Sequence, residues 1–146
     1  GDEEEREVCS RLVAGHGLDE QIVFCGRLTG DDKWREYADA DLFYFPTFYE
    51  NELMPLVTIE AMAFGLPVVA SAWRCIPDVV QDGLSGRLFP AKSVVAAADI
   101  IEELAADPDL RERLGRDARR GYEERFTSAC HLEAMARVFR FVDEAG

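Results

Sequence analysis

Amphipathic stretches of helical period alternate along the chain with short apolar runs closed by Gly, Pro or Asp. Residues 2–14 (DEEEREVCSRLVA) predict a helix. Its acids crowd the first turn, where they suit the helix dipole, and Val8, Leu12 and Val13 form an apolar stripe that Gly15 and Gly17 end. Gln21–Cys25 (QIVFC) is β-branched and aromatic and predicts a strand closed by Gly26. Asp31 or Asp32 caps a helix over 32–39 with Trp34, Tyr37 and Ala38 facing inward, and Asp41–Phe45 (DLFYF) predicts a strand stopped by Pro46. After the polar loop TFYENE, Pro55 opens a helix, PLVTIEAMAF, that Gly65 terminates, and Pro67–Ala70 (PVVA) is the next strand. Ile76–Gln81 predicts a short helix and Gly86–Phe89 a last strand. Helical stretches then follow over 93–106, 108–124 and 128–143, with Ser93 and Asp107 as N-caps and Pro108 at a first helical position.

Strands alternating with helices predict an α/β fold: a Rossmann-like parallel sheet with helices on both faces. VVA and LFYF are apolar on both sides, as a doubly covered sheet requires. With no repeat, linker or low-complexity segment, residues 1–146 are expected to form one domain, helices 108–143 extending it at the C-terminus. Ligands of such sheets sit outside the carboxyl ends of the strands. That singles out the loops after Cys25, Phe45, Ala70 and Phe89.

Charge narrows the partners. The 146 residues carry 29 acids against 16 bases, a net charge of −13. That field repels nucleic acid and anionic membranes, so an anionic ligand needs a helix N-terminus or individual bases. Lys33 and Lys92 are the only lysines. No apolar run approaches the ~20 residues of a membrane helix, and the acidic DEEERE start does not resemble a signal peptide. A chain beginning at Gly1 without Met is expected to be processed or part of something longer, and a cytoplasmic location is expected. Cys9, Cys25, Cys75 and Cys130 lie far apart without a CxxC, which argues against zinc and for free thiols in a reducing compartment; Cys9 and Cys25 occupy core-like positions. His16 and His131 are isolated, and no GxGxxG follows a strand, which disfavours a dinucleotide-binding dehydrogenase.

The candidate chemistry lies in the loop Thr47, Tyr49, Glu50, Asn51, Glu52 and the helix after it. Counted from Pro55, Glu60 falls on the row Leu56, Ile59, Glu60, Ala63, Phe64, which reads as the apolar face. An unpaired carboxylate there is costly. Either Glu60 sits at the edge of that face and meets water, or it points into a polar cleft where its two oxygens accept hydrogen bonds from vicinal hydroxyls. At ~1.5 Å per helical residue, Glu52 and Glu60 lie about 8–12 Å apart, too far to share a proton and suited to opposite ends of one extended ligand.

The run ENELMPLVTIEAMAFGLPVVAS resembles the signature of retaining glycosyltransferases of the GT-B fold, the family 4 group: Glu, seven residues, Glu, then a motif like EAMAxGxPVVAS. GDEEEREVCSRLVAGHGLDEQIVFCGRL is similar to the family's helix and strand ahead of the base site. IPDVVQDGLSGRLFP resembles its IPE(I/V)V-x-DGxxGxL segment, and RERLGRDARRGYEERFT its closing helices. The resemblance spans nearly the whole chain and marks it as part of the C-terminal, donor-binding domain.

What the resemblance implies is specific. Glu60 binds the ribose hydroxyls of a nucleotide diphosphate sugar. Glu52, the catalytic candidate, contacts the donor sugar near the reacting carbon, with Asn51 beside it. Amides at Leu53 and Met54 face sugar and diphosphate, while Pro55 has no N–H to offer. Arg27 and Leu28 flank the base, and Arg74 is a candidate phosphate or acceptor clamp. No metal or other cofactor is implied: cations and a helix N-terminus neutralise the leaving diphosphate. Leu53-Met54-Pro55 replaces the family's Gly-Phe-Gly or Gly-Phe-Pro, narrowing the sugar's approach to the backbone, and Arg74-Cys75 replaces Gly-Gly. The family's leading strands, its Arg and Lys for the diphosphate, and its N-terminal acceptor domain lie outside these residues. The chain is thus expected to bind donor, to need that domain or a partner chain for transfer, and to be inactive alone. An unpaired edge at 22–25 predicts dimerisation. The alternative is a non-catalytic Rossmann-like binding or interaction module.

Overall fold

The computed structural model describes residues 3–145; the expected start of the first helix at Asp2 lies outside them. The chain divides into two compact units, Gly1–Trp34 and Arg35–Gly146.

In the first unit, α1 spans Glu3–Gly15, and α2 (Gly30–Asp39) begins there and crosses into the second. Three acids stand in the first turn of α1, as the dipole favours. Its stripe is not a core face: none of its residues is buried, with Val8 and Leu12 exposed and Val13 half-buried. The strand expected at 21–25 does not form. The amides of Gln21 and Ile22 both donate to Leu18 O, so the segment starts in a turn, and no strand among the described residues pairs with it. β-propensity reports fitness for a ladder, and a ladder needs a neighbour. No sheet edge therefore exists at 22–25. Cys9 and Cys25, expected in apolar positions, are exposed, and all four thiols are free.

The second unit holds a parallel three-stranded sheet in the order β1 (Phe43–Phe45), β2 (Val68–Ser71), β3 (Gly86–Phe89). Phe43 pairs with Val68, and Val68 with Gly86. α3 (Leu56–Ala63) joins β1 to β2, and the short α4 (Ile76–Val79) joins β2 to β3. Then α5 (Val94–Ala106), α6 (Pro108–Arg125) and α7 (Ser128–Ala145) follow. Every residue of the central β2 is buried, as a sheet covered on both faces demands. Its alternation separates two cores. Val68 and Ala70 pack with Ala61, Met62, Ile76 and Val80; Val69 packs with Phe89, Ile100, Leu104 and Leu114. At about 1.5–3 kcal/mol per buried large aliphatic side chain, these two layers are the main source of stability.

Local signals place the helices well. Ser93 Oγ accepts from Ala96 N at 3.4 Å, and Asp107 Oδ1 from Leu110 N at 2.9 Å. Arg111 Nη1 donates to Leu104 O (2.7 Å) and Ala105 O (3.1 Å), satisfying the last carbonyls of α5. α3 and α6 meet through glycine: a Cβ on Gly115 would stand 2.2 Å from Gly65 O, so only a bare backbone permits this approach.

Two inward faces differ from expectation. On α2 only Tyr37 is buried, while Trp34 and Ala38 are exposed. On α3 the core side is Thr58, Ala61 and Met62, not the row Leu56, Ile59, Glu60, Ala63, Phe64. Leu56 is 66% exposed and Phe64 41%, so that row is a half-buried flank. Because α3 is apolar nearly all round, its pattern has no contrast from which to choose a face.

Candidate functional site

The carboxyl ends of the strands hand the chain to three loops, and side chains tie these together. After β1, Tyr49 N donates to Thr47 Oγ1 (3.2 Å) and Glu52 N to Tyr49 O (3.2 Å), winding residues 47–52 into a compact turn. The last residue of β2, Ser71, is buried and donates its hydroxyl to Thr47 O. Trp73 Nε1 donates to Tyr49 O at 2.8 Å, and Cys75 Sγ lies 4.0 Å from Glu52 O. Thus the loop after β2 supports the loop after β1 at both of its ends.

Between the loops lies a cleft of about 620 Å³ lined by Thr47, Phe48, Tyr49, Asn51, Trp73 and Lys92, among others. Its size falls within the roughly 300–1,000 Å³ of ligand pockets. It is where an open parallel sheet binds its ligand. Lys92 comes from the loop after β3, and its ammonium stands 4.8 Å from the centre of the Phe48 ring, a cation–π distance.

Glu60 lies one helix away, on the second turn of α3. It is half-buried and accepts a hydrogen bond from Tyr37 Oη to Oε2 at 3.2 Å; the same hydroxyl lies 3.4 Å from Val57 O. The Tyr37 ring is packed between Phe64 (5.5 Å) and Phe43 (5.7 Å), so the phenol cannot swing away from the carboxylate. Burial, then the Glu60 charge and the hydrogen bond to it, push the Tyr37 phenol up to about 12.

A folded value above the ordinary 10.0 gives a defined pH dependence. The stabilisation is complete below about pH 10, where Tyr37 is protonated in both folded and unfolded chains, and is lost between about 10 and 12 as the unfolded chain sheds the proton more readily. Tyr37→Phe should therefore lack that component of the alkaline loss. Thermal melts of both proteins from pH 8 to 12 check it: the stability difference between them should shrink above pH 10, and a constant difference would refute the coupling.

The predicted residues do not all meet. Asn51 lines the cleft, its Nδ2 3.5 Å from Tyr49 Oη. Glu52, the next residue in the chain, is half-buried, and its neighbours Leu53 (79%) and Met54 (56%) are exposed. Glu52, Leu53, Met54, Arg74 and Glu60 do not line the cleft. Pro55 stands at the N-cap of α3 and no side chain caps the helix; Thr58 N donates to Pro55 O at 3.0 Å. Arg74 is exposed, with its guanidinium 5.8 Å from the Trp73 ring centre. Arg27 and Leu28 belong to the first unit, where Arg27 is exposed and Leu28 half-buried.

Sequence reasoning missed Tyr37 as the partner of Glu60, and Trp73 and Lys92 as cleft walls. The available signal was topological: Trp73 and Lys92 both follow strands closely. Among the described residues, no group of three or more His, Cys, Asp or Glu side chains could hold a metal ion, and no helix is long and apolar enough to cross a membrane.

Residues 1–121 match the family described as "Glycosyl transferases group 1". The chain is 39% identical over 105 residues to the sulfoquinovosyl transferase SQD2 of Arabidopsis thaliana, covering 70% of this chain and 20% of that protein. It is 37% identical over 129 residues to a D-inositol 3-phosphate glycosyltransferase of Streptomyces bingchenggensis, covering 88% and 28%. It thus spans between a fifth and a third of the length of these relatives. Its fold matches sucrose-phosphate synthase from Thermosynechococcus elongatus with a TM-score of 0.84 at 29% identity, over 98% of this chain and 35% of that one. The fold also matches Anabaena HepE, whose structure is a complex with UDP-glucose, with a TM-score of 0.84 at 21% identity over 96% and 38%. With the GT-B-type sheet and the family match in agreement, the chain belongs to the glycosyl transferases group 1 family.

Proposed function

We propose that this chain binds the donor, a nucleotide diphosphate sugar, for a retaining glycosyl transfer of the family 4 type. The observation that carries the reading is Glu60: a half-buried carboxylate on α3, oriented by a buried tyrosine, in a chain of this family. In this reading Glu60 accepts hydrogen bonds from the ribose hydroxyls. Glu52, eight residues earlier at the loop that precedes α3, contacts the donor sugar, with Asn51 adjacent. The amides at Leu53 and Met54, together with the uncapped first turn of α3, face the sugar and diphosphate, where a partial positive charge stabilises the leaving group. Arg74 adds a full positive charge. Neutralisation by these groups makes the reaction metal-independent. Because the chain spans only part of its relatives' length, the transfer itself, its acceptor and the acceptor domain or partner chain belong to a completed enzyme.

Calorimetric titration of the chain with UDP-, GDP- and ADP-sugars tests the reading. One of them is expected to bind with a dissociation constant in the range of about 1 μM to 1 mM, unchanged by EDTA. Binding by none would overturn the donor role in favour of a non-catalytic module. Loss of binding with EDTA would overturn metal independence.

A further inference from the structure

The two carboxylates of the donor site proposed above hang on different supports. Glu60 is carried by α3 and oriented by Tyr37. Glu52 stands in the loop before α3, so its direction depends on how that loop's backbone is held. It is held from β2. Three alternate residues, Ser71 at the end of β2 and then Trp73 and Cys75, reach carbonyls of the loop after β1 in matching order. Ser71 Oγ donates to Thr47 O, Trp73 Nε1 donates to Tyr49 O at 2.8 Å, and Cys75 Sγ lies 4.0 Å from Glu52 O. The middle contact bears directly on Glu52. Tyr49 O also accepts from Glu52 N at 3.2 Å, so one carbonyl joins the Trp73 indole to the Glu52 amide. The supports are themselves fixed. Ser71 is buried, Ala72 N donates to Phe89 O at 2.7 Å, and Ile76 N donates to Trp73 O at 3.1 Å as the chain enters α4. The half-buried Trp73 ring packs on the core that holds Val68, Ala70 and Ile76.

Burial alone explains why the indole N–H finds a partner. It does not explain why three alternate side chains all reach one loop, or why the indole takes a carbonyl that already serves Glu52 N. A carbonyl oxygen has two lone pairs, so both donors are accommodated. We propose that Trp73 is a positioning residue: through Tyr49 O it sets where the Glu52 carboxylate stands. Trp73 thereby governs the sugar part of donor binding and leaves the nucleotide part to Glu60. The inference rests on the donor reading. Its physical basis is that a hydrogen bond weakens steeply as its angle departs from linear, so a carboxylate on a loosened loop loses its hold on hydroxyls.

The test titrates the whole chain with UDP-, ADP- and GDP-glucose and with the matching free diphosphates. The readout, for the pair that binds, is the dissociation constant of the free diphosphate divided by that of its sugar nucleotide. Trp73→Phe keeps a ring against the core and removes the N–H. It should lower the ratio about five- to tenfold, the effect of one lost hydrogen bond, while free-diphosphate binding stays within about twofold of wild type. Glu52→Gln should lower the ratio about tenfold. Trp73→Phe added to Glu52→Gln should lower it no further, because the first change acts through the second. Cys75→Ala leaves the indole in place and should shift the ratio the same way by about two- to threefold. A merely structural tryptophan would weaken both ligands alike, or add fully to Glu52→Gln. Either result overturns the positioning role and leaves the donor reading intact, as does an unchanged ratio in Trp73→Phe. Should Trp73→Phe not fold, an unchanged ratio in Cys75→Ala overturns it. A wild type that binds none of the sugar nucleotides overturns both readings.

Discussion

Gly86→Ala should lower the melting temperature by about 12 °C or prevent folding outright. Gly86 opens β3 opposite Val68, and a Cβ there would meet Val68 O at 2.1 Å and Val80 Cγ1 at 2.9 Å. The first atom is backbone of the central strand and cannot rotate away. Relief requires β3 to leave the ladder or β2 to move, and β2 is buried on both faces. Overpacking of a rigid site costs about 3 kcal/mol at the upper end of the usual range. At about 4 °C per kcal/mol for a chain of this size, that is the stated drop. The effect is steric, so Gly86→Ser should behave like Gly86→Ala, whereas alanine at Gly83, where a Cβ meets nothing within 4 Å, meets only the local cost of its positive φ. Thermal melts followed by circular dichroism decide the matter. A Gly86→Ala protein that melts within a few degrees of the wild type would mean the β2–β3 pairing is looser than its register implies.

Glu60→Gln should weaken nucleotide-sugar binding by a factor of about ten to a hundred. Hydrogen bonds to a charged acceptor contribute about 1.5–3 kcal/mol, and each 1.4 kcal/mol is tenfold in affinity. Glutamine preserves size and one oxygen, so the Tyr37 hydroxyl keeps an acceptor and stability should hardly change. Glu60→Ala removes that acceptor as well. It should bind no better than Glu60→Gln, and it should also lose about 1 kcal/mol of stability, the net worth of the hydrogen bond between the carboxylate and Tyr37. The contrast separates a ligand-facing carboxylate from one that merely satisfies Tyr37. A 2′,3′-dideoxy form of the nucleotide completes the cycle: if Glu60 holds the ribose hydroxyls, deleting them from the ligand and deleting the charge from the protein should not add. Glu60→Gln binding as tightly as wild type, or fully additive losses, would remove the ribose role.

Much of the second unit is legible from local chemistry. The caps Ser93 and Asp107, the run at β2 and the glycine after α3 each satisfy a nearest-neighbour requirement, so a linear reading finds them. The spacing of Glu52 and Glu60 and the motif after them point to the family without any coordinates, and the match over residues 1–121 agrees. The errors share a cause. Gln21–Cys25 carries the composition of a strand, but strand formation depends on a partner that composition does not supply. The inward face of α3 is not legible in the sequence because a helix with one charge in its whole length has almost no amphipathic contrast, and the face is chosen by what lies beneath it.

Alternating elements, parallel topology and membership of the family were therefore determined by the order of residues along the chain. The physical reason is that caps, turns and periodicity act over a few residues. Only the tertiary structure decided that Glu60 answers to Tyr37, 23 residues earlier, and that Trp73 and Lys92 close a cleft with the loop after β1. Those contacts arise when separate strands end at the same side of one sheet, a consequence of packing that no short window of sequence contains.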